Sequence, residues 1–178
     1  MVLLRVCAWI DWINERISKL VYWLVLGAVL VSSGNAVMRY GLNISSNAWL
    51  ELQWYMFSTI FMFCAAYTLR CNEHIRIDIV ASRLSQRTRD WIDVAGHMLF
   101  LLPLCLIMLY ESWPYFVTAW LNNEVSANAG GLIRWPARLL IVIGFALLLL
   151  QWFSEVTKRI AAMLGAAPEP YAAQNTHH

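Results

Sequence analysis

Two carboxylates stand in otherwise apolar stretches, and they are the first candidates for chemistry in this sequence. Glu51 follows Trp49 by two residues, and Glu111 precedes a Ser-Trp-Pro sequence. A carboxylate deep in a membrane is costly and typical of a proton or ion relay, whereas one at headgroup level beside tryptophans is tolerated. The pattern favours a structural or interface salt bridge for Glu51, with Arg39 or Arg134 as partner, and leaves a transport role as the alternative.

The histidines and cysteines lack the spacing of a metal or haem site. Small membrane cytochromes use His pairs on facing helices, but His97 enters an apolar segment and His74 lies outside one. The four cysteines, Cys7, Cys64, Cys71 and Cys105, form no C-x-x-C pair. We predict no cofactor, no metal site and no disulfide. The sequence also has no P-loop, G-x-S-x-G or H-E-x-x-H motif, so we expect no enzymatic activity.

A short polar stretch interrupts the first apolar segment. Asn35 ends a Ser-Ser-Gly-Asn sequence, and Ala28, Ser32 and Ala36 form a row of small residues at four-residue steps. Small residues allow membrane helices to approach closely, and Asn can hydrogen-bond across such a contact. Helix packing, within the subunit or against a partner, is therefore favoured over a substrate site.

The composition requires membrane helices to position these residues. Of the 178 residues, 60% are apolar and 13% are charged, whereas globular proteins have about 25% charged residues. We predict an all-α integral membrane protein, a single domain over residues 1–165 with four transmembrane helices. The expected spans cover about residues 20–38, 49–69, 94–113 and 133–153. An amphipathic interfacial helix is expected over about residues 2–18, and a disordered tail over residues 166–178.

Lysine and arginine are unevenly distributed outside these spans. The N-terminal flank has three, the loop between spans two and three has five, and the C-terminal flank has two. The loop after span one has only one, and the loop after span three has two, one of which enters the last span. By the positive-inside rule, both termini and the central loop lie in the cytoplasm, and the chain in a bacterial inner membrane. The net charge of +2 is too small to suggest a nucleic-acid partner, so membrane lipids are the expected surroundings.

The central loop contains a compact charged group at the expected cytoplasmic membrane surface. Its candidate residues are Arg70, His74, Arg76 and Asp78, and isoleucines alternate with the last two. Alternation of this kind indicates an extended stretch with one apolar side. Arg76 and Asp78 could fix the loop against a helix or a partner. Alternatively, the arginines only set the topology.

Three stretches of the sequence, taken in order, resemble a known family. They are Asn35-x-x-x-Arg39-Tyr40 with Trp49-x-Glu51, then Arg70 with Glu73-His74-Ile-Arg76-Ile-Asp78, and last Gly130-Gly131-Leu132-x-Arg134-Trp135-Pro136. Together with the four-span layout, they resemble the small membrane subunit (Q-type, DctQ-like) of tripartite ATP-independent periplasmic (TRAP) transporters. The resemblance covers about residues 15–160.

The resemblance implies a non-catalytic subunit of a secondary transporter. Its partners would be a large multi-span membrane subunit, which transports an organic acid or similar solute by symport along an ion gradient, and a periplasmic substrate-binding protein. The small subunit would support the large one as a scaffold and help dock the binding protein. Docking would use the loops over residues 40–48 and 114–135, where Glu124 and Arg134 are the available charges and Trp135 ends the second loop. Two alternatives stay open: a membrane anchor or cytochrome-like subunit of a respiratory enzyme, and a small stand-alone transporter.

Overall fold

Long apolar runs fold into helices that occupy most of the computed structural model, which describes residues 2–44, 46–71 and 85–165. The helices are α1 (Val2–Gly41), α2 (Asn47–Arg70), α3 (Gln86–Gly96), α4 (Leu102–Leu121) and α5 (Trp135–Met163). A π-helical turn over His97–Leu101 joins α3 to α4 without a break. The expectations for the loop residues 72–84 and for the tail 166–178 lie outside the described residues.

Local chemistry explains several helix ends. The Ser85 hydroxyl accepts a hydrogen bond from the Thr88 N–H at 3.3 Å and so caps α3. The π-helical turn ends two residues before Pro103, whose missing N–H removes one bond of the α-helical ladder. Pro136 stands in the first turn of α5, where an N–H has no helical partner in any case. Asn123 has a φ of 46°, a left-handed conformation that Asn tolerates, and it directs the chain away from the end of α4.

The helices form an up-down-up-down bundle in which α5 is central, packing against α1, α2 and α4. Helices α1 and α2 form an antiparallel hairpin, with Arg70 bound to Glu15 at 2.8 Å. Helices α2 and α5 approach closely at Gly144, where a Cβ would lie 2.7 Å from the Met62 Cβ. The start of α1, the end of α2, the start of α3 and the end of α5 meet at what we call the terminal end. Residues 41–47 and 122–134 form the opposite loop end.

Three helices of the described part are long and apolar enough to cross a membrane: Val2–Gly41, Arg87–Leu121 and Trp135–Met163. The protein is thus a multi-pass, all-helical membrane protein. Helix α2 has 24 residues, a length of about 36 Å, but the polar groups of Trp54, Tyr55, Ser58 and Thr59 lower its hydropathy. The fourth span and the orientation stay predictions.

The helices differ from the predicted segments mainly in length. We expected an interfacial helix separate from the first span, but α1 continues without interruption through 40 residues. Its length of about 60 Å is twice the thickness of a hydrocarbon core of about 30 Å. The third predicted span, 94–113, lies within a helix that continues to Leu121. In α1 no proline or glycine separates residues 18 and 20, whereas the helix of the third span continues with Pro114 inside it.

Candidate functional site

The loop end is built around a short hairpin between α4 and α5. Val125 and Ile133 form an antiparallel bridge. The Ser126 N–H donates to the Leu132 carbonyl at 2.9 Å, and the Arg134 N–H donates to the Glu124 carbonyl at 2.8 Å. These bonds give the hairpin a fixed backbone.

Glu51 fastens this hairpin to α2. Its side chain is buried and accepts hydrogen bonds from the Leu132 N–H at 2.6 Å, from the Asn128 amide at 2.9 Å and from the Ser126 hydroxyl. Three donors therefore surround one carboxylate. Within the described residues Glu51 forms no ion pair, so the partners that we expected for it, Arg39 and Arg134, are replaced by neutral groups of the hairpin.

Close packing at Gly131 makes this arrangement possible. A Cβ at this position would lie 2.5 Å from the Ser126 Cβ and 2.8 Å from a Glu51 carboxylate oxygen. Only glycine lets the hairpin backbone come this near to the acid. Two further bonds hold the hairpin to α2: the Asn47 amide donates to the Ala129 carbonyl at 3.0 Å, and the Tyr55 hydroxyl to the Ile133 carbonyl at 2.9 Å.

A second set of charges fixes the base of the hairpin. Glu124 pairs with Arg138 at 2.6 Å and with Arg134 at 3.5 Å. The Arg138 guanidinium also donates to the Tyr115 carbonyl at 3.0 Å and stacks on the Tyr115 ring, 3.7 Å from its centroid. Sequence reasoning placed Glu124 and Arg134 at this surface but missed Arg138. The spacing of four residues between Arg134 and Arg138, which puts both on one face of a helix, was the available signal.

The aromatic and polar candidates of the loop end lie on both sides of the bundle. Trp135 packs edge-on against Trp120, with ring centroids 4.6 Å apart. Asn35 and Trp49 line a cavity of about 430 Å³ between α1 and α2, near the loop end. Arg39 lies exposed one turn beyond Asn35. The structure thus brings Glu51, Glu124, Arg134 and Trp135 together at the hairpin, and places Asn35 and Arg39 away from it.

The terminal end contains a buried polar network that sequence reasoning did not find. Gln151 is fully buried and accepts from the Asn14 amide at 2.7 Å. Its own amide donates to Asp11 at 2.8 Å and to Glu155 at 2.9 Å. The Lys158 ammonium lies 3.0 Å from Asp11 and 2.5 Å from Glu155. This network joins the beginning of α1 to the end of α5.

The missed network had a periodic signal in each helix. Asp11 and Asn14 are three residues apart, and Gln151, Glu155 and Lys158 follow one another at steps of four and three. Each set forms a polar stripe on one helical face. We attributed the polar residues before Leu20 to a water-facing side, because the sequence alone does not show that a second polar stripe lies opposite.

Further charges join the other helices at the terminal end. Arg159 forms ion pairs with Asp93 and, at 3.8 Å, with Asp90, which connects α5 to α3. The ion pair between Arg70 and Glu15 connects α2 to α1. Glu15 lies before the apolar run that begins at Leu20. Hydrogen bonds from Lys19 and Arg70 lower its pKa to about 2. Glu15 is therefore ionised at neutral pH. The remaining candidates of this region, His74, Arg76 and Asp78, lie outside the described residues.

The described residues offer no chemistry for a bound metal. No group of three or more His, Cys, Asp or Glu side chains in residues 2–44, 46–71 and 85–165 is arranged to hold an ion. The His97 carbonyl accepts a hydrogen bond from the Trp152 indole N–H at 2.8 Å, and this bond joins the π-helical turn to α5. The geometry at both ends joins helices and the hairpin to one another.

Comparison with known proteins identifies the family. The model of the family described as "Tripartite ATP-independent periplasmic transporters, DctQ component" matches residues 28–162. The chain belongs to this DctQ family. It is thus the small membrane subunit of a TRAP transporter, a system in which the DctQ component works with a large membrane subunit and a periplasmic binding protein. Searches of curated proteins and of solved structures found no match.

The match contains most of the geometry of the loop end. Glu51, the hairpin and the α5 residues Arg134 and Arg138 all fall between residues 28 and 162. Asp11, Asn14 and Glu15 precede the matched region, although their partners Arg70 and Gln151 lie inside it. The resemblance seen in the three sequence stretches is therefore confirmed at the level of the family.

Proposed function

We propose that this DctQ-family chain is a non-catalytic support of the transporter, whose loop end faces the periplasm and helps dock the loaded binding protein. The large subunit would then carry an organic acid or similar solute across the membrane, driven by an ion gradient. The observation that carries this proposal is the fixed hairpin at the loop end. A docking surface must keep its shape, and the bonds to Glu51 and Arg138 hold this one from both sides.

The distribution of basic residues supports the proposed orientation. Among the described residues, the terminal end has most of the lysines and arginines, whereas the loop end and the adjoining helix turns have three arginines, Arg39, Arg134 and Arg138. Those of the terminal end are Arg5, Arg16, Lys19, Arg70, Arg87, Arg89, Lys158 and Arg159. Because Lys and Arg are retained on the cytoplasmic side, this end would be cytoplasmic and both termini would lie there. Helix α2 would then be the fourth span.

The hairpin tip offers a direct test of docking. Ala127 is exposed at this tip, and Ala8 is exposed on α1 at the terminal end. We expect Ala127→Trp to weaken binding of the periplasmic protein to the reconstituted two-subunit complex by about tenfold, since a bulky ring disturbs a fitted surface. Ala8→Trp, the matched control at the other end, should leave this binding unchanged. If complexes with Ala127→Trp and Ala8→Trp bind the periplasmic protein equally tightly, the docking role is wrong.

Assembly and cofactor content test the support role itself. The wild-type chain, co-expressed with its large subunit, should co-purify with it in a defined ratio, and solute uptake into proteoliposomes should require both. Uptake by this chain alone would favour the stand-alone transporter. A Soret absorbance band with stoichiometric haem in the purified chain would favour the cytochrome-like subunit and contradict the proposal.

A further inference from the structure

A groove runs along the bundle between α2 and α4, with α5 as its floor. These two helices pack on α5 but not extensively on one another. Two adjoining openings of about 660 and 470 Å³ form the groove, and both are lined by Tyr115, Arg138 and Ile141. The α2 wall contributes Phe61 and Met62. The groove lies within the lengths of the apolar helices and is thus accessible to a membrane neighbour.

The α4 wall of this groove contains a carboxylate without a cation. Glu111 lies exposed in this wall, and no basic side chain of the described residues pairs with it. It falls within the expected third span, and α4 continues ten residues beyond it to Leu121, a length of about 15 Å. Lipid chains cannot solvate an ionised carboxylate, and such residues in membrane helices generally face a protein interior or a partner. Glu111 therefore needs a donor from outside this chain.

The nearby arginine does not meet this need. Arg138 lines the same groove, but its guanidinium binds Glu124 at 2.6 Å and the Tyr115 carbonyl at 3.0 Å. It also lies over the Tyr115 ring, 3.7 Å from its centroid. The Arg138 charge is thus directed to the base of the hairpin, and the negative charge of Glu111 stays open toward the groove.

We propose that this groove binds a transmembrane helix of the large membrane subunit, and that this helix brings a Lys or Arg side chain to Glu111. The inference rests on the proposed function and names the surface of the partner. The walls of the groove suit such a helix, because Phe61 presents an exposed apolar ring and the flexible methionines Met62 and Met108 adapt their shape to an apolar surface. A lipid acyl chain fits the apolar walls equally well but leaves Glu111 unpaired, so charge complementarity decides for the helix.

Photo-crosslinking locates the partner. The probe p-benzoylphenylalanine is placed at Phe61, which is 76% exposed in the groove, or at Trp113, which is 57% exposed. Trp113 follows Glu111 by two residues and therefore lies about 200° around α4, away from the groove. In the wild-type two-subunit complex we expect the Phe61 probe to crosslink to the large subunit at least about ten times more than the Trp113 probe. Equal yields, or crosslinks from Phe61 to lipid alone, would overturn the groove as the interface.

Charge variants test the role of Glu111 within the groove. Glu111→Lys should reduce co-purification of the large subunit by about tenfold or more, because it opposes two like charges in a desolvated contact. Glu111→Gln should have a smaller effect, since its amide oxygen still accepts a hydrogen bond. Gel filtration of each variant alone checks that it folds, and the Phe61 crosslink is repeated in each. Full assembly of a folded Glu111→Lys variant would overturn the charge pairing. If the wild-type chain itself fails to co-purify, the proposed function falls as well, so the two failures are distinguishable.

Discussion

The two ends of the bundle are fastened in different ways. At the loop end, Glu51 is surrounded by neutral donors, two of them side chains and one a backbone N–H. At the terminal end, acids and bases from different helices pair across the bundle, as Arg159 does with Asp93 and Arg70 with Glu15. One end thus binds a loop to a helix, and the other binds helices to one another.

This difference indicates different tasks for the two ends. A carboxylate that satisfies several donors of one hairpin fixes the shape of that hairpin, which suits a surface that a partner must recognise. Ion pairs between helices fix the relative positions of the helices, which suits a support that must not deform. Damage at the loop end should therefore affect docking, whereas damage at the terminal end should affect stability alone.

Removal of the Glu51 carboxylate should cause the largest loss of stability among the variants that test this comparison. Glu51→Ala leaves the Leu132 N–H, the Asn128 amide and the Ser126 hydroxyl without their acceptor. Because each hydrogen bond to a charged group contributes about 1.5–3 kcal/mol and water can replace part of it, we expect a loss of about 3 kcal/mol. Unfolding by sodium dodecyl sulfate in mixed micelles measures the stability, and binding of the periplasmic protein should weaken in parallel.

The conservative variant at this position separates charge from shape. Glu51→Gln keeps the side-chain volume but replaces one acceptor oxygen by a donor, so we expect about half of the loss. If Glu51→Ala unfolds the chain no more easily than the wild type does, the hairpin is held by other contacts and Glu51 is an ordinary residue of the membrane interface.

Replacement of Gln151 should weaken the polar network of the terminal end. Gln151→Leu keeps nearly the same volume but leaves the Asn14 amide without its acceptor and removes a donor from Asp11 and Glu155. An unsatisfied buried group of this kind costs about 1–3 kcal/mol, so we expect a loss of about 2 kcal/mol in the same unfolding measurement. Leu150→Ala, at an exposed neighbouring position, should change stability far less.

Variants of Gln151 and Glu51 should differ in the second measurement, the binding of the periplasmic protein. Gln151→Leu should leave binding of the periplasmic protein to the assembled complex unchanged, because the network lies at the opposite end from the hairpin. A variant that folds and assembles but no longer binds that protein would show that the two ends are coupled, and the division of tasks would be wrong.

The sequence predicted the helices better than it predicted their contacts. Apolar length and turn residues located the helices that the structure describes, and three sequence stretches taken together indicated the family. Gln151 was missed because it acts through a residue 140 positions away. Arg138 was missed although its partner Glu124 is only 14 positions away, because the hairpin that brings the two together has no helical periodicity. A helical pattern shows which residues share a face, but the neighbour of that face depends on the packing of the whole bundle.

The surface pair between Glu15 and Arg70 should have the smallest effect and the clearest dependence on pH. Glu15 retains about a third of its side-chain exposure, so we expect Glu15→Gln to cost less than about 1 kcal/mol. The pKa of Glu15 falls from 4.5 to about 2 in the folded chain. A lowered pKa stabilises the folded state above pH 4.5, and this contribution disappears as the pH falls from 4.5 toward 2. The difference in melting temperature between the wild type and Glu15→Gln should thus be constant from pH 7 to 5, shrink below pH 4.5, and decrease in high salt. A difference in melting temperature that persists unchanged to pH 2 would show that Glu15 acts through its shape and not through its charge. The ion pair with Arg70 would then not stabilise the terminal end.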